Sequence, residues 1–146
     1  MTESRELSHV VTTDVAAPAG FAFDYLADPA KVGEWALGSY NSRVVAGDVY
    51  SGTSLLDGSV VVYRVDADAR RGLIDYLVGS DAKTLVMRIS TRVVPGEILG
   101  RGADTCVVSM SAWRPADFDE RRWSRLKAFH DAEIHILRER IETAKR

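Results

Sequence analysis

Apolar side chains return with a helical period from Asp117 to Arg146. At about 100° per residue, Trp123, Leu126, His130, Ile134, Leu137, Ile141 and Ala144 fall on one stripe, which predicts one long amphipathic helix. His130 stands near the centre of that stripe. Upstream, the period is two. Ser8–Val15 reads as a first strand, and Ser42–Ala46, Tyr50–Leu56, Ser59–Asp66, Leu73–Val78, Lys83–Val94 and Asp104–Trp113 read as six more. Between the first strand and the rest lie two short helices. One opens at Pro18 and carries Phe21, Phe23, Tyr25 and Leu26. The other opens at Asp28-Pro29, where Asp28 can cap and Pro29 suits the first turn, and it ends near Trp35. Asp57-Gly58 predicts a two-residue type I′ hairpin, and Asp117 with Glu120 resembles a capping box for the last helix. Strands joined by short turns imply an antiparallel sheet, and that sheet must cover the stripe of the last helix. The expected class is therefore α+β, with one domain over residues 1–146.

Composition adds mainly exclusions. The 146 residues are 46% hydrophobic and 27% charged, with a net charge of −2. Charges of both signs are interspersed, so no strong field favours nucleic acid or an anionic membrane. No apolar run approaches the ~20 residues of a membrane span, and the polar start does not read as a signal peptide. A cytoplasmic protein, monomeric or homodimeric, is expected. The single cysteine, Cys106, falls within a strand and reads as a buried, inert thiol.

Two stretches carry a family resemblance: Val15-Ala-Ala-Pro-Ala-Gly-Phe-Ala-Phe-Asp-Tyr-Leu-Ala-Asp-Pro followed by Glu34-Trp35, and Trp123…His130…Glu133-Ile134…Ile141-Glu142. With the element order, they make the chain resemble the START/birch-allergen (SRPBCC) superfamily, and within it the bacterial polyketide cyclase/dehydrase and lipid transport group. The resemblance implies a helix-grip fold, a seven-stranded antiparallel sheet wrapped around the long C-terminal helix. It also implies an apolar cavity between them, with its mouth near Trp35–Tyr40. It implies no shared catalytic motif, because that superfamily includes lipid carriers, receptors, cyclases and chaperone activators.

Against that frame His130 is the leading polar candidate, as an acid/base or as a hydrogen-bonding contact to a ligand oxygen. The plain alternative is a histidine bonded to a backbone carbonyl or a carboxylate. Glu133, three residues on, is placed either to orient His130 or to sit solvated on the flank. Two such groups on one helix are too few for a metal site, and no cofactor is expected. Asp75 interrupts an apolar strand; the outward orientation is preferred because an unpaired buried carboxylate is costly, and Tyr76 then points inward. Arg88 reads as solvated unless a bulge turns it toward Asp75. Trp35, Tyr40, Tyr63, Met87, Met110, Trp113 and Leu126 are expected to line the core or the pocket. The expected function is binding of a hydrophobic small molecule, aromatic, polyketide-like or lipid, with cofactor-free cyclisation or dehydration as the enzymatic form. A non-catalytic lipid carrier or sensor and a chaperone-activator-like interaction module are the alternatives.

Overall fold

A computed structural model describes residues 6–146. Seven strands form one antiparallel sheet in the order β1-β7-β6-β5-β4-β3-β2. They are β1 (Ser8–Val15), β2 (Tyr40–Ala46), β3 (Val49–Thr53), β4 (Val60–Asp68), β5 (Leu73–Gly79), β6 (Val86–Pro95) and β7 (Cys106–Trp113). Helices α1 (Ala19–Ala27) and α2 (Pro29–Val32) and a 3-10 turn (Leu37–Ser39) connect β1 to β2, the two edges of the sheet. Helix α3 (Glu120–Lys145) closes the chain. The expected α+β helix-grip architecture is the observed one. No helix among the described residues is long and apolar enough to cross a membrane.

One face of the sheet is buried and the other is solvated. In β7 the alternation puts Cys106, Val108, Met110 and Ala112 inside, as a period of two requires. Val15 on β1, Thr91 and Val93 on β6, Ile74 and Tyr76 on β5 and Tyr63 on β4 continue the inner face. Ile134, Leu137 and Ile141 of α3 pack into the same core, joined by Ala22, Tyr25 and Leu26 of α1. Each fully buried aliphatic side chain contributes roughly 1.5–3 kcal/mol of transfer free energy, so the α3 stripe holds the helix to the sheet. Ala144, at the end of that stripe, is exposed.

The starts of the helices are set locally. Asp28 accepts from the Ala30 N–H at 3.0 Å and Pro29 follows it, so α2 begins where the Asp-Pro pair predicts. Helix α3 begins two residues later than a cap at Asp117 would place it. Asp119 is the cap and accepts from the Arg122 N–H at 2.8 Å.

The β3–β4 connection is not a two-residue type I′ turn. The Ser54 N–H donates to the Ser59 carbonyl at 2.9 Å around a loop that includes Leu55 and Leu56. Only Gly58 there has a positive φ, 76°. Asp57 instead accepts from the Ser59 N–H at 2.9 Å, the local side-chain turn that aspartate favours.

A bulge shapes the sheet near its middle. Tyr76 pairs with Ile89 but Leu77 with Met87, so Arg88 is the extra residue on β6. The bulge breaks the alternation running from Leu85 to Val93. Ile89, Thr91 and Val93 follow one phase and Met87 falls out of it, exposed to solvent.

Candidate functional site

Helix α3 brings two ionisable side chains into the interior. His130 is 1% exposed and Glu133 5% exposed. Their i, i+3 spacing places both toward the sheet side of the helix, yet they have separate environments. The Glu133 Oε2 accepts the Leu37 backbone N–H at 2.8 Å, across to the 3-10 turn. That turn is seated on β3 because Gly52 has no side chain to meet the Ser39 carbonyl. Burial pushes the Glu133 carboxyl up to about 8, against the pull of the Leu37 and Gly38 N–H groups. Glu133 is thus neither a solvated flank residue nor the orienting partner of His130. It ties α3 to the segment around residues 37–38.

His130 has no hydrogen-bond partner at either Nδ1 or Nε2. Neither a backbone carbonyl nor a carboxylate holds it, so the plain structural reading does not apply. Burial holds its imidazole down at about 4, and the nearby His9 adds to the effect. The ring is neutral at neutral pH. His9 lies on the inner face of β1, its centroid 5.8 Å from that of His130, and its Nε2 is 3.4 Å from Asp131 Oδ1. Among the described residues, no group of three or more His, Cys, Asp or Glu side chains is placed to hold a metal ion.

A second polar group of contacts lies under α1, α2 and the 3-10 turn. Trp35 is buried and meets Tyr76 edge-on at 5.5 Å between centroids. The Tyr76 hydroxyl donates to the Leu26 carbonyl at 2.7 Å. The Tyr63 hydroxyl lies 2.6 Å from both the Pro29 carbonyl and Ser42 Oγ. Burial pushes the Tyr63 phenol up to about 12 and the Tyr76 phenol higher still. Trp35 Nε1 and Thr91 Oγ1 are buried without partners.

The structure thus gathers His130, Glu133, Trp35, Tyr63, Tyr76 and Met110 in the interior, with Leu126 half-buried on α3. It does not bring in three other expected residues. Tyr40 at the start of β2, Met87 beyond the bulge and Trp113 at the end of β7 are exposed. Trp113 pairs with Ser8 on the outer face, one step out of phase with the buried Ala112. Asp75 lies on the outer face, the orientation preferred from its sequence, and so is a candidate contact that the interior does not receive; there it accepts from the Ser90 hydroxyl of β6. Arg88, though bulged, makes no ion pair with it among the described residues. Cys106 is buried and burial pushes its thiol up to about 11, leaving it unreactive.

His9 is the residue that sequence reasoning passed over. Its signal was available: it shares the inward phase of β1 with Val11 and Val15. A cleft of about 480 Å³ opens elsewhere, between α1 and the β4–β5 turn, lined by Gly20, Phe23, Arg70, Arg71 and Ile98 among others. None of the expected site residues lines it.

No family model matches the chain, and no curated protein matches it. Solved structures do. The protein XoxI from Bacillus cereus superposes with a TM-score of 0.70 at 10% identity, over 97% of this chain and 99% of that one. The Zhui aromatase/cyclase from Streptomyces sp. R1128 gives 0.66 at 17% identity, over 95% of each. The di-domain ARO/CYC BexL from the BE-7585A biosynthetic pathway gives 0.65 at 16% identity, over 92% of this chain and 46% of that one. With the sheet order and the long closing helix, these superpositions identify the fold of this chain as the helix-grip fold that it shares with those structures.

Proposed function

We propose that this protein binds a hydrophobic small molecule, aromatic and polyketide-like or lipidic, between the inner face of the sheet and α3. The observation that carries the reading is His130, a neutral imidazole buried to 1% exposure with both nitrogens unpartnered. A buried polar group left without a bond costs roughly 1–3 kcal/mol. A protein retains one where a ligand or an ordered water completes it. The unpartnered Trp35 Nε1 offers a further polar point on an otherwise apolar wall, the composition of small-molecule sites. The likeness to aromatase/cyclases supports an aromatic ligand.

Entry runs past the Trp35–Tyr40 segment. Its tethers are the bond from the Leu37 N–H to Glu133 and the bond from the Leu55 N–H to the Leu37 carbonyl, 2.9 Å. The chemistry these groups suit is cofactor-free cyclisation or dehydration, with the walls imposing the substrate's fold. His130, held at about 4, is a weak base at neutral pH. Glu133, pushed up to about 8 and held by the Leu37 N–H, serves that chemistry by fixing the segment at the entrance.

Titration with 1,8-dihydroxyanthraquinone and with oleate, read by tryptophan fluorescence and calorimetry, tests the reading. Saturable one-site binding of at least one of them is expected, weakened about tenfold by His130→Ala. No saturable binding, or binding indifferent to that change, would defeat it. Product formation from a poly-β-keto thioester separates an enzyme from a carrier.

A further inference from the structure

Three imidazole nitrogens are buried without partners: Nδ1 of His9 and both nitrogens of His130. The two ring centroids lie 5.8 Å apart, with the planes tilted by 45°. They come from β1 and α3, elements far apart in sequence, so the meeting is a product of the fold. Two rings at this distance can share a single oxygen atom at hydrogen-bond range, about 2.8 Å from each nitrogen.

The polarity of the pair follows from the carboxylate behind it. Asp131 is exposed, and its Oδ1 faces His9 Nε2 at 3.4 Å. That contact is an ion-pair distance rather than a formed hydrogen bond; a carboxylate on that side favours the hydrogen on Nε2, which leaves Nδ1 as the acceptor. The next carboxylate, Glu6, is engaged elsewhere, with Trp123 Nε1 and Lys127 Nζ each at 2.9 Å from its Oε1. His130, neutral, offers one donor and one acceptor. An oxygen between the rings therefore meets an acceptor on His9 and a donor on His130. A hydroxyl answers both at once, donating to His9 Nδ1 and accepting from His130. A carbonyl or ether oxygen accepts from His130 but leaves His9 Nδ1 unpaired.

We propose that His9 and His130 form a clamp for one hydroxyl group of the ligand, a phenol or an enol, with Asp131 as the residue that positions His9. The proposal rests on the reading that a small molecule enters between the sheet and α3. It adds a ligand class and assigns a role to β1.

The test compares 2-naphthol with 2-methoxynaphthalene, which share the ring system and differ in the O–H. Nitrogen NMR of the free protein is expected to show His9 as the Nε2–H tautomer. Calorimetry is expected to show 2-naphthol binding roughly tenfold tighter than the ether. In His9→Phe the ratio falls to about one while the affinity for the ether holds. Asp131→Ala, a change at an exposed position that leaves the core intact, lowers the same ratio and mixes the His9 tautomers.

An Nδ1–H tautomer of His9, or a ratio that neither substitution moves, overturns the clamp. Equal binding of the two probes overturns the clamp while leaving the binding function standing. Failure of both probes to bind overturns the two together.

Discussion

Buried polar groups are treated differently on the two sides of the α3–sheet interior. Under α1, α2 and the 3-10 turn, most of them are pinned to backbone. Tyr76 donates to Leu26, Tyr63 to Pro29, and Glu133 accepts from Leu37. Each bond crosses between elements distant in sequence and fixes the irregular β1–β2 connection, which has few regular ladders of its own. At the seam between β1 and α3, His130 is as deeply placed and His9 is half-buried, yet three of their nitrogens are buried and bond to nothing. The β1–β7 ladder runs unbroken from Ser8 to Val15, so the backbone there needs no side-chain pins. Polar groups that staple an irregular segment hold the fold; on the function proposed above, those left unbonded beside a regular ladder are the ones a ligand completes.

The comparison breaks most directly at Tyr76. Tyr76→Phe keeps the ring against Trp35 and strands the Leu26 carbonyl in the core. The expected loss is about 2–3 kcal/mol, read as a lower urea midpoint at unchanged slope. A loss below about 0.5 kcal/mol would mean the pin is not structural.

Next in size is the pH dependence of stability. Glu133 titrates near 8 in the folded chain and near 4.5 unfolded. The folded state therefore holds an extra proton between those values, and its stabilising effect is lost as pH rises through that window. His130 has the opposite sign, about 4 folded against 6.5 unfolded, so its contribution is lost as pH falls through that window. Between pH 4.5 and 6.5 the two slopes oppose and nearly cancel. Above 6.5 Glu133 acts alone, at about 1.4 kcal/mol per pH unit. Stability is expected to fall by about 2 kcal/mol between pH 6.5 and 8, and Glu133→Gln should flatten that limb. A limb equally steep in the variant would place the titrating group elsewhere.

How much of this was legible in the sequence depends on the range of the interaction. The α3 stripe, the Asp28-Pro29 start of α2 and the seven strands follow from local period and capping, and they were readable. Trp113 was readable too, had the phase of Cys106, Val108, Met110 and Ala112 been carried one residue further. Met87 was not, because the bulge at Arg88 depends on how β6 pairs with β5. Glu133 read either as the partner of His130 or as a solvated flank residue, because its actual partner, the Leu37 N–H, lies 96 positions away in sequence. The pairing of His9 with His130 is hidden for the same reason: inward phase can be read from each element, but which inward residues meet is decided by packing.

The smallest effect has the opposite sign and is the sharpest test of the contrast. His130→Leu removes an imidazole whose two nitrogens gain nothing from the fold and replaces it with an apolar side chain of similar bulk. Among partnered groups, such a change would cost stability. Here the unfolded imidazole loses its hydration on burial and recovers no bond, so its removal relieves a penalty. A gain of about 1 kcal/mol at neutral pH is expected, with the loss of stability below pH 6.5 much reduced, because the residue that resists protonation is gone. The same protein should lose the affinity assigned to His130, so stability and binding move in opposite directions. That exchange is the signature of a site kept for function at the expense of the fold. A clear destabilisation by His130→Leu would show that the imidazole is bonded in solution, and would move His130 to the pinned side of the interior beside Tyr76 and Glu133.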